Sequence, residues 1–380
     1  MSPPNSPKIL SLGFIGGSMT SAVGYTHFVS SQLDHRWKVV SGCFSHDENQ
    51  SNATALEWQI SKDKTYSDWR AYIAAEKENL DAVAVLTPTP DHADIVCALI
   101  ENGVPVICEK AMAADLQQSA TIKDALNRHQ GFLAMTYNYS GYPLLRVLRK
   151  HVENGDLGTL KQIQIEMPSD AFVQPEERMS PQHWRLKDGP IPTILLDLAV
   201  HLHQLCSFLT ALKPQSVQAD FHHDSTFEGI VDDAYLWVRY ENDFRASLWV
   251  SKTALGYRNG LKLRLFGDQA SAEWLQEEPE RLHIFQKDTT RTTYDRGNCQ
   301  HPDEIRERFK PGHPAGFVEA FANLYADIAD ALEQQRVSGS HTSPYVFGWD
   351  HADEGLRLLQ TASNANTHKT WQDLVTEGWQ

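Results

Sequence analysis

Ile9-Leu10-Ser11-Leu12-Gly13-Phe14-Ile15-Gly16-Gly17-Ser18-Met19-Thr20-Ser21 is the stretch that decides the fold of this 380-residue chain. A short apolar run drives straight into a turn of small residues, and a helix is expected to follow. Parallel α/β sheets begin in this order, with backbone N–H groups and a helix N-terminus placed to meet a pyrophosphate. With Gly16 as the first glycine of a GxGxxG fingerprint, Ser18 and Ser21 stand in the second and third places, so the fingerprint is incomplete. A tight strand-to-helix turn without a ligand has the same local appearance.

Working outward, further apolar runs follow at Val39–Phe44, Ala82–Leu86, Val104–Cys108 and Phe132–Thr136. Uninterrupted runs of this length read as strands buried on both faces, the mark of a parallel sheet. Helical patterns separate them, such as Asp91–Asn102, closed by Gly103 as a C-cap. The alternation predicts right-handed βαβ units and a doubly wound parallel sheet over residues 9–137. After about residue 155 strand-like runs follow one another: Gln162–Met167, Val217–Phe221, Tyr235–Tyr240, Ala246–Ser251, Lys262–Phe266 and Arg281–Phe285. Consecutive strands with few helices predict an antiparallel sheet in a second domain, 138–380. Helices are expected at Ile194–Leu212, Phe317–Gln335 and Asp350–Ser363, and a frayed tail over 1–8.

Composition narrows the function classes. Lys and Arg number 34 against 49 Asp and Glu, a formal charge of −15, which disfavours nucleic acid and anionic membranes as partners. No apolar stretch approaches a bilayer span. Five cysteines form no CxxC pair; four lie in apolar stretches and read as small buried side chains, so a reduced, cytoplasmic chain is expected. His201-Leu202-His203 and His222-His223 lack companion cysteines at ligand spacing, and no metal is expected. There is no Tyr-x-x-x-Lys pair and no Gly-x-Ser-x-Gly elbow.

Ligands of open α/β sheets sit at the carboxyl ends of the strands. The second run ends Cys43-Phe44-Ser45-His46, and Asp47 comes two or three places too late to grip a ribose. Ser45 and His46 could donate to a 2′-phosphate, so NAD and NADP both stay open. The turn Leu86-Thr87-Pro88-Thr89-Pro90-Asp91-His92, read as the end of a fourth strand, and Glu109-Lys110 after the next strand complete the rim. Gly16, Gly17, Ser18, Met19, Ser45, His46, Thr87, Pro88, His92, Glu109 and Lys110 are therefore the candidate cofactor contacts. Lys110 could equally be a solvated surface charge. Asp197 and His201, four apart in a largely apolar helix, share one face; a structural His–Asp hydrogen bond accounts for them as well as chemistry does.

Glu109-Lys110-Ala111, Asp197-x-x-x-His201 and Thr87-Pro88 resemble three signatures of the glucose–fructose oxidoreductase/inositol dehydrogenase/rhizopine-catabolism (Gfo/Idh/MocA) family. Tyr137-Asn138-Tyr139-Ser140-Gly141-Tyr142-Pro143, His183-Trp184-Arg185 and Gly312-His313-Pro314-Ala315-Gly316-Phe317 add to the likeness, which spans nearly the whole chain. The resemblance implies an N-terminal Rossmann domain and a C-terminal domain with an open, mostly antiparallel sheet whose face builds a homodimer or homotetramer. It implies an NAD(P)-dependent dehydrogenase acting on a CH–OH group of a sugar-like or cyclitol substrate. Two departures stand out: serines in place of the second and third glycines, and Ala111 in place of the signature's proline.

Moving a hydride from a carbinol also requires removal of the hydroxyl proton. His201 is the expected base, with Asp197 orienting it or supporting the substrate, and Lys110 is expected to stabilise the alkoxide or to shuttle the proton itself; which of Lys110 and His201 is primary stays open. Asn138, Tyr139, Trp184 and Arg185 are candidate substrate contacts, with His313 of similar standing. The rival readings are a ligand-sensing regulator of the same fold and an enzyme that recycles a tightly held cofactor.

Overall fold

The computed structural model describes residues 8–173, 181–301 and 304–374; residues 1–7, most of the expected tail, lie outside them. The chain opens with β1 (Leu10–Gly16), α1 (Gly24–Gln32), β2 (Trp37–Cys43), α2 (Glu48–Glu57), α3 (Trp69–Glu76), β3 (Ala82–Leu86), α4 (His92–Glu101), β4 (Val106–Cys108), α5 (Leu116–His129) and β5 (Leu133–Met135). The five strands form one parallel sheet in the order β2-β1-β3-β4-β5. All five residues of β3 are buried, as an uninterrupted apolar run demands. α4 stops because Gly103 takes φ +74°, a left-handed conformation that glycine adopts without a Cβ clash. The strand before Thr87 is the third in the chain, not the fourth: α2 and α3 follow β2 with no strand between them.

A second run of elements comprises α6 (Pro143–Glu153), β6 (Leu160–Pro168), α7 (Val200–Thr210), β7 (Pro214–His222), β8 (Asp233–Tyr240), β9 (Arg245–Ser251), β10 (Lys262–Gly267), β11 (Ala270–Leu275), β12 (Leu282–Gln286) and β13 (Arg291–Tyr294). α8 (Phe317–Ser338), α9 (Trp349–His368) and β14 (Gln372–Asp373) complete the chain. β6 to β14 make a nine-stranded sheet, ordered β13-β12-β11-β10-β6-β9-β8-β7-β14. β6 and β9 run parallel, and the other neighbours are antiparallel. β8 alternates buried and accessible residues along its length, the period-2 pattern of a sheet with one covered face. The helix expected over Ile194–Leu212 begins as a π-helical turn, Leu195–Ala199, and becomes α-helical at Val200.

Two compact units result: Met1–Ala113, Gln117–Gly141 and Phe317–Ala352 form the first, and Ala114–Leu116, Tyr142–Gly316 and Asp353–Gln380 the second. The first unit thus takes in α8, which lies beyond the expected 9–137. The apolar face of α8 closes the core of the parallel sheet, where Leu324, Ile328 and Leu332 join Leu10, Leu12 and Val39. The Trp37 indole N–H donates to the Tyr325 carbonyl at 2.8 Å. Arg36 adds ion pairs to Glu333, at 2.7 Å, and to Asp330. Among the described residues no helix is long and apolar enough to cross a membrane.

Candidate active site

The turn after β1 is shaped by close backbone approach. Gly16 and Gly17 have φ +81° and +74°, and a Cβ on Gly16 would stand 2.7 Å from the Leu86 carbonyl carbon. A Cβ on Gly24 would lie 2.0 Å from the Gly17 oxygen, so Gly24 is where helix and turn touch. Ser21 therefore does not take the third glycine's place; its hydroxyl accepts the Gly24 N–H at 2.9 Å and steadies the start of α1. Ser18 is buried and pairs with the Thr20 hydroxyl at 3.1 Å, while Met19 is 45 % exposed and its N–H donates to Thr54 on α2.

At the end of β2 the Ser45 hydroxyl accepts the Asp47 N–H, and His46 is exposed. Asp47 caps α2 by accepting the Asn49 and Gln50 N–H groups, a local duty that explains an acid at this place. After β3, the Thr87 hydroxyl is buried and finds no hydrogen-bond partner. An unpartnered buried hydroxyl costs about 1–3 kcal/mol, so it marks a place where a ligand or water completes the bonding. The glycine cradle and this hydroxyl fit a dinucleotide at the rim.

His92 plays another part than the one expected of it. It is fully buried, and its ring nitrogens lie 2.8 Å from the Thr87 and Ala111 carbonyls. Burial holds its pKa below the ordinary value, although both carbonyls favour the charged form. The ring ties the two rim turns together instead of facing a cofactor. Glu109 is likewise buried, accepting from His27 at 3.0 Å and from the Thr136 hydroxyl. Burial raises its pKa, but His27, Lys110 and Thr136 outweigh this and bring it down to about 2. His27 passes the network on to the Tyr325 hydroxyl at 2.8 Å. Lys110, partly buried, follows this clamped carboxylate directly, and its peptide bond to Ala111 is cis. Asn138 and Tyr139 are buried in the turn after β5, and the Asn138 amide nitrogen has no hydrogen-bond partner.

In the second unit Asp197 lies on the π turn and His201 at the start of α7, both buried. The Asp197 carboxylate accepts from the Lys252 ammonium at 2.8 Å and pairs with Arg185. Arg185, expected as a substrate contact, thus holds Asp197, and its guanidinium also lies 4.6 Å from the Trp184 ring centre. The Trp184 indole N–H donates to Gln182 at 2.9 Å. His313 is exposed, and Arg296 donates to its carbonyl at 2.6 Å. Sequence reading missed His27, Gly24 and Lys252. The first two stand three residues apart behind a longer turn than the fingerprint allows for, whereas a lone lysine after a strand carries no spacing signal.

Residues 10–137 match the oxidoreductase family with an NAD-binding Rossmann fold, and residues 145–273 match the GFO/IDH/MocA C-terminal domain. The chain belongs to the Gfo/Idh/MocA family. Among its relatives, oxidoreductase YfiI of Bacillus subtilis is 25% identical over 386 residues, covering 96% of each chain. Levoglucosan dehydrogenase of Pseudarthrobacter phenanthrenivorans is 25% identical over 57% of this chain and 60% of its own. The crystal structure of an inositol dehydrogenase homolog complexed with NAD+ from Azotobacter vinelandii superposes with a TM-score of 0.89 at 25% identity, covering 96% of this chain and 97% of that one. As a Gfo/Idh/MocA protein, the chain is an oxidoreductase whose first unit is an NAD-binding Rossmann fold.

Proposed function

We propose that this Gfo/Idh/MocA protein transfers a hydride between a nicotinamide cofactor, NAD or NADP, and a secondary carbinol or keto carbon of a sugar or cyclitol. One observation carries the reading: a lysine emerges at the carboxyl rim of a dinucleotide-type sheet directly behind a carboxylate hydrogen-bonded by two buried side chains, His27 and Thr136. The bound nicotinamide supplies the hydride acceptor or donor. The glycine turn, Thr87 and Pro88 hold the cofactor, with Ser45 and His46 toward its ribose. His201 takes the hydroxyl proton on oxidation, Asp197 supports the imidazole or the substrate, and Lys110 stabilises the developing alkoxide. Asn138, Tyr139, Trp184 and Arg185 hold the sugar. The inositol dehydrogenase homolog from Azotobacter vinelandii, complexed with NADH and myo-inositol, makes polyols the substrate class to try first. Five unpaired cysteines suit a reducing cytoplasm. The accessible face of the nine-stranded sheet, with Tyr235 and Trp237 exposed, suits a homodimer or homotetramer.

The test is reduction of NAD+ and NADP+ against a panel of sugars, cyclitols and sugar nucleotides, for the wild type and Lys110→Ala. Turnover falls by roughly 10²–10⁴-fold in the variant while cofactor binding, followed by fluorescence, survives. Undiminished turnover in Lys110→Ala removes the assignment. A wild type that binds cofactor and turns over nothing supports a sensor of the same fold instead.

A further inference from the structure

We infer that Lys252 is a positioning residue that fixes the aim of the Asp197 carboxylate, an inference that rests on the dehydrogenase reading above. Lysine is rarely found out of water without a partner. Here the side chain is only 8% accessible, and its ammonium lies 2.8 Å from Asp197 Oδ2, itself on a side chain 10% accessible. The backbone around the lysine is pinned from two sides. Its N–H donates to the Asp232 carbonyl at 2.8 Å, and its carbonyl accepts the Phe172 N–H at 2.9 Å. Those two partners lie just before β8 and just after β6, the strands that flank β9 in the sheet. The ammonium also rests 4.9 Å from the centre of the Phe172 ring, a cation–π contact that narrows its freedom further.

Asp197 needs such a fixture because of where it sits. It belongs to the π-helical turn Leu195–Ala199, a wider coil than the α-helix that follows. Isolated π turns are uncommon and recur at functional sites, where they re-aim side chains. Arg185, which also pairs with Asp197, differs in kind. Arg185 is 22% accessible, is carried by the short 3-10 turn His183–Leu186, and shares its guanidinium with Trp184 and Gln182. Lys252 follows directly on the end of β9, whereas Arg185 is the more accessible cation and sits on a short turn. A carboxylate held by a strand-anchored ammonium keeps one orientation when a polyol arrives, which is what positioning in a reacting complex requires.

Full-length protein carrying Lys252→Met, Lys252→Arg, Asp197→Asn or Lys252→Met with Asp197→Asn tests this. Urea-denaturation midpoints should be non-additive: Lys252→Met alone costs more than the double variant loses beyond Asp197→Asn. Additive midpoints overturn the pairing. With whichever polyol of the panel the wild type oxidises, Lys252→Met should lower kcat at least tenfold and leave the KM for NAD+ within twofold. Lys252→Arg should restore a substantial part of kcat. Unchanged kcat in Lys252→Met reduces the pair to a structural contact and overturns the inference. A wild type inert on every polyol overturns the dehydrogenase reading and the inference with it, an outcome distinct from a lysine variant that retains full turnover.

Discussion

Each unit contains the same buried trio, a tyrosine, a histidine and a glutamate, and the two trios hold different things. In the first, His27 lies 2.8 Å from the Tyr325 hydroxyl and 3.0 Å from Glu109. In the second, His203 lies 3.1 Å from the Tyr240 hydroxyl and 3.3 Å from Glu354. Burial pushes both tyrosines well above their ordinary pKa, so both hydroxyls keep their protons. Burial also raises both glutamates, yet hydrogen bonds and positive neighbours bring each down to about 2. The difference lies in the remaining partners. Glu109 is completed by a buried threonine and sits next in the chain to Lys110. Glu354 is completed by Ser207 and by Lys213, whose side chain is 51% accessible, and it fastens α9 to α7. The same three residue types thus stand beside the rim lysine in one unit and pack helices together in the other. The chemistry at hand, more than the trio itself, sets its role.

The sharpest way to break this comparison is Glu109→Gln. Removing one member of a buried charged network costs about 3–5 kcal/mol, read from urea denaturation, and should weaken NAD binding at least tenfold as the rim turn loosens. Glu354→Gln should cost less, about 3 kcal/mol, because Lys213 can turn into water. Its NAD affinity should stay within twofold of the wild type. Equal losses of NAD affinity in the two variants would erase the distinction drawn here. Acid titration sharpens what the trios share. Each carboxyl ionises near 2 when folded against an ordinary value of 4.5, so its contribution is full above pH 4.5 and disappears as pH falls toward 2. A variant carrying both Glu109→Gln and Glu354→Gln should therefore show a flatter stability–pH slope in that window, by about 3 kcal/mol per site across it.

Much of the first sheet was legible because its strands are uninterrupted apolar runs, and β3 was matched at both ends. β11 escaped because Ala270-Ser271-Ala272 offers little contrast between its two faces. β13, Arg291-Thr292-Thr293-Tyr294, is a polar edge strand with no apolar run to find. The candidate rim residues can be read from their places at strand ends, but what each side chain touches cannot. Whether His92 faces a ligand or two carbonyls is a matter of tertiary contact, and its chain position is the same either way. Lys252 meets Asp197 across 55 residues of sequence, a pairing that no local pattern encodes.

The return of α8 to the first unit bears on how the molecule is made. His27 waits for Tyr325, which is 298 residues downstream. At 5–20 residues per second, a ribosome takes roughly 15–60 s to deliver that partner. The opening sheet must spend this interval with one flank uncovered, so a fragment ending near residue 141 would emerge as an aggregation-prone half-product and not as a transplantable nucleotide-binding cassette.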